Sequence, residues 1–215
     1  MILVRDRENS RKYKKKKCLG VFKTVLICCF LLAAAGFLCF RFRGGVQIKQ
    51  SRYQDILPEA EIVLYRQDDA RWKKDRLGDS QYTMGSSGCL VSSIASALSM
   101  ESGMEKTPGA FNAELSAGGV YDRKGNLQWE PLSALGNYRV EVFQEVSADI
   151  IDTCLSEGRY PVVRVRMYTL GNIHYVLIVG VQDGEYLCMD PLQDKLMKLS
   201  SYGNRVYAVR CVSLP

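Results

Sequence analysis

One cysteine in this chain stands where its surroundings favour chemistry. Cys89 follows the Ser/Gly turn Gly85-Ser86-Ser87-Gly88 and opens the run CLVSSIASALSM. Behind it, Leu90, Val91, Ile94, Ala95, Ala97 and Leu98 recur at helical spacing, with Ser92, Ser93, Ser96 and Ser99 on the other side. That pattern predicts a half-buried helix with Cys89 in its first turn. A thiol there lies beside unpaired backbone N–H groups and the positive end of the helix dipole, which together stabilise a thiolate. Gly85 and Gly88 are expected to keep the approach to the sulfur free of side chains. Taken alone, the motif fits equally a small buried residue that happens to be cysteine.

A cysteine nucleophile needs a base, and the chain has one histidine, His174, at the head of the apolar run HYVLIVGV. A titratable ring at the mouth of an otherwise buried strand sits where a strand end meets a cleft. The run stops at Gln182-Asp183-Gly184, and EYLCMD follows, ending at Asp190 before Pro191, which signals a hairpin. With a two-residue Asp183-Gly184 loop, Asp190 would oppose Leu177 and point away from His174's face. With a three-residue loop closed by Gly184 in the left-handed region, Asp190 opposes Val176 and shares a face with His174, about 7–8 Å away on the diagonal. A Cys-His-Asp site requires the second arrangement, so a three-residue loop is expected.

The segments YRQDDARWKKDRLGDS, TMGSSGCLVSSIASAL, NIHYVLIVGV and the MDP containing Asp190 follow one another between about Ile62 and Leu192. In that order they resemble the papain-like cysteine peptidase clan, most closely the stand-alone relatives of the bacteriocin double-glycine leader peptidases. The resemblance implies Cys89 as nucleophile, His174 as its base and Asp190 as the residue that orients the imidazole. It also implies that Gln67 supplies a side-chain N–H to an oxyanion hole beside the Cys89 amide. The substrate would be a peptide or protein. Leader peptidases of that branch are fused to a transporter and face the cytoplasm, so cleavage after Gly-Gly does not carry over to a domain standing alone on the other side.

The elements that must position these residues divide by charge. Residues 1–23 carry nine basic and two acidic side chains, a net +7, while the chain from Gly44 onward carries 18 basic and 21 acidic, a net −3. The basic character therefore belongs to the tail, which argues against a nucleic-acid partner. Residues 24–40 are uncharged and apolar, enough for a transmembrane anchor, with Val21 and Phe22 extending it if Lys23 snorkels. The basic cluster places the N-terminus in the cytoplasm and the domain outside the cell membrane. The alternative is a secreted protein whose signal peptide has its core at Thr24–Leu32 and is cleaved near Ala33–Ala35. Residues 41–61 read as a polar tether, and residues 62–215 as the domain.

Within the domain, EIVLY reads as a short strand leading to Gln67, and Trp72 as packed beneath a loop near the cleft. Thr107-Pro108 caps a second helix ended by Gly118-Gly119, a turn falls at Lys124-Gly125-Asn126, and Pro131–Leu135 is one helical turn. Tyr138–Phe143 alternates as a strand, Ser147 starts a helix, and Pro161–Met167 and Val206–Val212 are further strands. The expected fold class is α+β: a helical lobe carrying Cys89, an antiparallel sheet lobe carrying His174 and Asp190, and a cleft between them. Cys154, Cys188 and Cys211 read as small core residues rather than a bridge. There is no CxxC pair and no second histidine to complete a zinc site, and no glycine-rich phosphate loop follows a strand, so no cofactor or metal is expected. Two other function classes stay open: a peptide-binding module of the same fold with little turnover, and a sortase-like transpeptidase, although in sortases the His precedes the Cys.

Overall fold

The computed structural model describes residues 2–42, 44–58, 61–168 and 171–215, with the side chains of the first helix described over 20–40. The side chains of the basic tail up to residue 19, and residues 43, 59 and 60 of the expected tether, lie outside the described residues. The chain forms two compact units, Met1–Gly44 and Gly45–Pro215.

The first unit is a single helix, α1 (Ile2–Phe42). Its stretch Gly20–Phe40 has a mean hydropathy of 2.3, is long and apolar enough to cross a membrane, and presents its apolar side chains outward. A helix of that kind fits an anchor or a signal sequence. It includes Lys23, and the Thr24 hydroxyl donates to Gly20 O at 3.1 Å, so that polar group is satisfied within the helix.

The second unit is mixed α+β. It opens with β1 (Val46–Gln47), and the first half of the domain then supplies α2 (Met84–Ser87), α3 (Cys89–Ser102), α4 (Pro108–Ala117) and α5 (Trp129–Ala134). The second half supplies β2 (Arg139–Val142), α6 (Ala148–Ser156), β3 (Val162–Arg166), β4 (Ile173–Gln182), β5 (Glu185–Met189), β6 (Met197–Lys198), a 3₁₀ turn at Leu199–Tyr202, β7 (Arg205–Val206) and β8 (Ala208–Ser213). Six strands form an antiparallel sheet in the order β2-β8-β3-β4-β5-β6, and β1 pairs with β7. The caps are those the sequence signals: Thr107 accepts from Ala110 N at 3.2 Å and Ser147 from Ile150 N at 3.2 Å.

Helix α3 is buried on all sides rather than half buried. Ser92, Ser93, Ser96 and Ser99 are as enclosed as Ile94 and Leu98. The reason is size: α3 packs against β4, β8 and α4, and residues as small as Ser and Ala let all three approach. EIVLY forms no strand, because residues 61–66 find no partner strand; Tyr65 N donates instead to Ser96 Oγ at 3.4 Å. Trp72 is buried, its indole N–H donating to Arg66 O at 2.8 Å and its ring edge-on to Tyr65.

The expected tether is largely part of the fold. Besides β1, Ile48 is buried, and Ile56 bridges Val181 in both directions, N to O at 3.0 Å and O to N at 2.7 Å. β3 begins only at Val162, opposite Leu177, so Ile56 takes the same edge of β4 further along. The buried carboxylate of Asp152 on α6 fixes the same segment, accepting from Ser51 Oγ at 2.6 Å, Arg52 N at 2.9 Å and Tyr186 OH at 2.8 Å.

Candidate functional site

The β4–β5 hairpin turns through Asp183-Gly184 alone, with Gln182 paired to Glu185 and both loop residues at positive φ, 52° and 75°. The expected three-residue loop is therefore wrong. The register it was meant to supply is present nevertheless, because the pairing shifts by one residue between Ile178 and Gly180. Below that bulge Leu177 pairs with Met189, which puts Asp190 across from Val176 and on the face of His174. The parity that a two-residue loop loses is restored inside the strand.

His174 and Asp190 meet there, Nε2 to Oδ1 at 2.7 Å, both side chains nearly inaccessible to solvent. With Nε2 taken, Nδ1 is the ring nitrogen left for the Cys89 thiol, which lines the same cleft. Burial pushes the imidazole pKa down, but the bond to Asp190 and the neighbouring Cys89 and Asp190 groups outweigh it and raise it to about 9. Burial likewise disfavours the Asp190 carboxylate, and is outweighed by donors on both oxygens. Oδ1 accepts from Leu192 N at 2.8 Å as well as from His174, Oδ2 accepts from the Tyr202 hydroxyl, and the pKa falls below the usual carboxylate value. The Leu192 bond also makes Asp190 the cap of the bend after Pro191.

Cys89 heads α3 directly behind the short turn α2, whose Thr83 and Ser86 form a reciprocal capping box. The two glycines before it serve the backbone rather than access to the sulfur. A Cβ on Gly85 would lie 2.9 Å from Lys73 O, and one on Gly88 2.5 Å from Met84 O. Gln67 is buried beside them. Its backbone N donates to Pro191 O at 2.9 Å and its Nε2 to Gly85 O at 3.0 Å, which leaves one amide N–H unspent, while its Oε1 has no partner among the described residues. The bond to Pro191 ties Gln67 to the loop that follows Asp190.

Cys89, His174 and Gln67 line one cleft of about 550 Å³, whose walls include Tyr121 and Trp129 from the helical half and Tyr175 from β4. The structure thus brings all four sequence-derived residues together, with Asp190 behind the ring. Sequence reasoning missed Tyr202. It sits in LSSYGN, twelve residues after Asp190, in a 3₁₀ turn closed by Gly203 at φ 69°, and no spacing rule singles it out.

Cys154, Cys188 and Cys211 are buried and unbridged. Among the described residues, no group of three or more His, Cys, Asp or Glu side chains is placed to hold a metal ion. No protein-family model matches the chain and no curated protein does either, so the reading of this site rests on its own geometry.

Proposed function

We propose that the chain is a cysteine peptidase of papain-like type, anchored in the cell membrane by α1 with its folded unit outside the cytoplasm. The observation that carries this reading is the position of the His174 ring, bonded to the Asp190 carboxylate at 2.7 Å and facing the same cleft as the Cys89 thiol at the head of α3. Nδ1 of His174 takes the thiol proton, and the Cys89 sulfur attacks the carbonyl carbon of a bound peptide. The oxyanion that forms is met by the free N–H of Gln67 Nε2 and the Cys89 amide. The imidazolium returns its proton to the departing amine, leaving a thioester. Water, deprotonated by His174, then hydrolyses it. Asp190 keeps the ring in one tautomer and orientation throughout.

The test is reactivity mapped to residues. Full-length protein in detergent is treated with a thiol-directed electrophile and the adducts are located by mass spectrometry. Labelling at Cys89 far faster than at Cys28, Cys29 or Cys39, slowed in His174→Ala and accompanied by hydrolysis of a peptide library, supports the reading. A Cys89 that reacts like an ordinary thiol, with no hydrolysis, removes it.

A further inference from the structure

Two groups stand out among the guanidiniums of the folded unit. Arg52, Arg66, Arg71, Arg139 and Arg159 each lie within ion-pair distance of a carboxylate. Arg164, Arg166 and Arg210 do not, among the described residues, although all three are partly buried. Their side-chain bonds go to backbone carbonyls: Arg164 to Tyr207 O at 3.2 Å, Arg166 to Gly171 O at 3.3 Å, and Arg210 to Phe143 O at 3.1 Å. The Nε of each is buried without a hydrogen-bond partner among the described residues.

These three share a face of the sheet. Arg164 pairs across strands with Tyr175, Arg166 with Ile173, and Arg210 with Val162, two residues from Arg164. Tyr175 and Ile173 line the cleft that holds Cys89, as does Trp129, whose ring centroid lies 5.6 Å from Arg210 Cζ. The positive charge therefore lies directly behind a wall of the site. Burial lowers the Arg210 pKa, Tyr175 opposes that and the neighbouring Arg164 adds to it, so like charges lie close here with no carboxylate at ion-pair distance among the described residues. The cleft matches: no Asp or Glu is among its lining residues, and Lys124, on the Asp122–Asn126 turn, is its one side chain of fixed charge.

We infer that the substrate is an acidic peptide, one of whose carboxylates is drawn to the Tyr175–Trp129 wall of the cleft by Lys124 within the cleft and by the Arg164 and Arg210 charges behind that wall. The inference rests on the peptidase reading of that cleft. The carboxylate has two sources, an Asp or Glu side chain or the peptide's own C-terminus, and both carry the same negative charge into the cleft.

The experiment compares matched peptides with the full-length protein: Glu against Gln at each position, and free against amidated C-termini. The expected result is a kcat/KM about fivefold higher for one carboxylate form, the effect of about 1 kcal/mol that partly buried charges exert through space, and the position of the preference names the source. In Arg164→Gln/Arg210→Gln the ratio falls toward one. The ratio is internal to each variant, so a loss of folded protein affects both peptides alike. Arg139→Gln, which removes a charge already paired with Glu141, keeps the parent ratio. Equal cleavage of both forms by the parent overturns the subsite alone. So does a ratio that survives in the double variant or falls equally in Arg139→Gln. If no peptide is cleaved, and Cys89→Ala protein binds acidic and amide peptides alike, the subsite and the reading beneath it both fall.

Discussion

Ile56 and Val181 exchange both of their backbone hydrogen bonds, at 3.0 and 2.7 Å, and so clamp a segment preceding the helical half onto β4 just beyond the bulge that sets the His174–Asp190 register. Gly180 lies between, and a Cβ there would come within 2.4 Å of Ile56 O. Gly180→Ala is therefore expected to displace residues 51–56. It should cost about 1–3 kcal/mol of stability, the usual range for overpacking, and lower the activity of the remaining folded protein. Denaturant unfolding and the rate of Cys89 labelling measure the two effects separately. An unchanged midpoint would show that the clamp is dispensable.

Removing the reacting groups separates chemistry from fold. Cys89→Ala and His174→Ala should abolish peptide hydrolysis with little change in thermal midpoint. Asp190→Asn and Gln67→Ala should lower kcat by about 10²-fold or more. Hydrolysis that persists in either of the first two variants places the chemistry elsewhere.

The Tyr202 hydroxyl is one of three donors to the buried Asp190 carboxylate. Tyr202→Phe keeps the ring and removes that donor, at a cost of about 1–3 kcal/mol for the oxygen left short. Because the lost bond favoured the ionised form, the Asp190 pKa should rise toward the ordinary value. The acid limb of the activity profile should then begin at higher pH. A limb that does not move would make Tyr202 a packing residue only.

Stability should depend on pH at both ends. The folded His174 pKa of about 9 lies above the roughly 6.5 of an unfolded chain. Its contribution is therefore complete below about pH 6.5 and is lost as pH rises through about 9. Asp190 is held below the ordinary carboxylate value of about 3.9, so its contribution is present above that value and is lost as pH falls through its lower folded value. Thermal midpoints across pH, in the parent and in His174→Gln, test the alkaline part. An alkaline decline that survives in His174→Gln assigns it to other groups.

The parts of the fold read correctly from sequence are those set by neighbours along the chain. Thr107-Pro108 and Ser147 cap helices because a hydroxyl reaches an N–H two or three residues on, wherever the helix then packs. Three of the four site residues were legible because each stands beside a local signal: a turn before Cys89, a strand end at His174, a bend after Asp190. Gln67 was named through the family resemblance alone, and the strand expected to lead to it does not form. What failed depended on distant partners. The loop length was misjudged because nothing in VLIVGVQDG marks Val179 as the extra residue, and the segment that clamps the strand there lies more than a hundred residues earlier. Ile56, read as tether, and EIVLY, read as strand, have the opposite fates because one meets an open strand edge and the other does not. Tyr202 stayed hidden because a tyrosine in a 3₁₀ turn resembles any other until the carboxylate beneath it is visible.

A chain with one imidazole carries its own spectroscopic label. The ring protons and nitrogens of His174 give a single set of resonances, free of overlap from any second histidine, and the nucleus reporting them sits at the cleft wall. Peptide, inhibitor or lipid that reaches the groove can thus be followed there by chemical shift, in unmodified protein, with occupancy and tautomer read from the same signal.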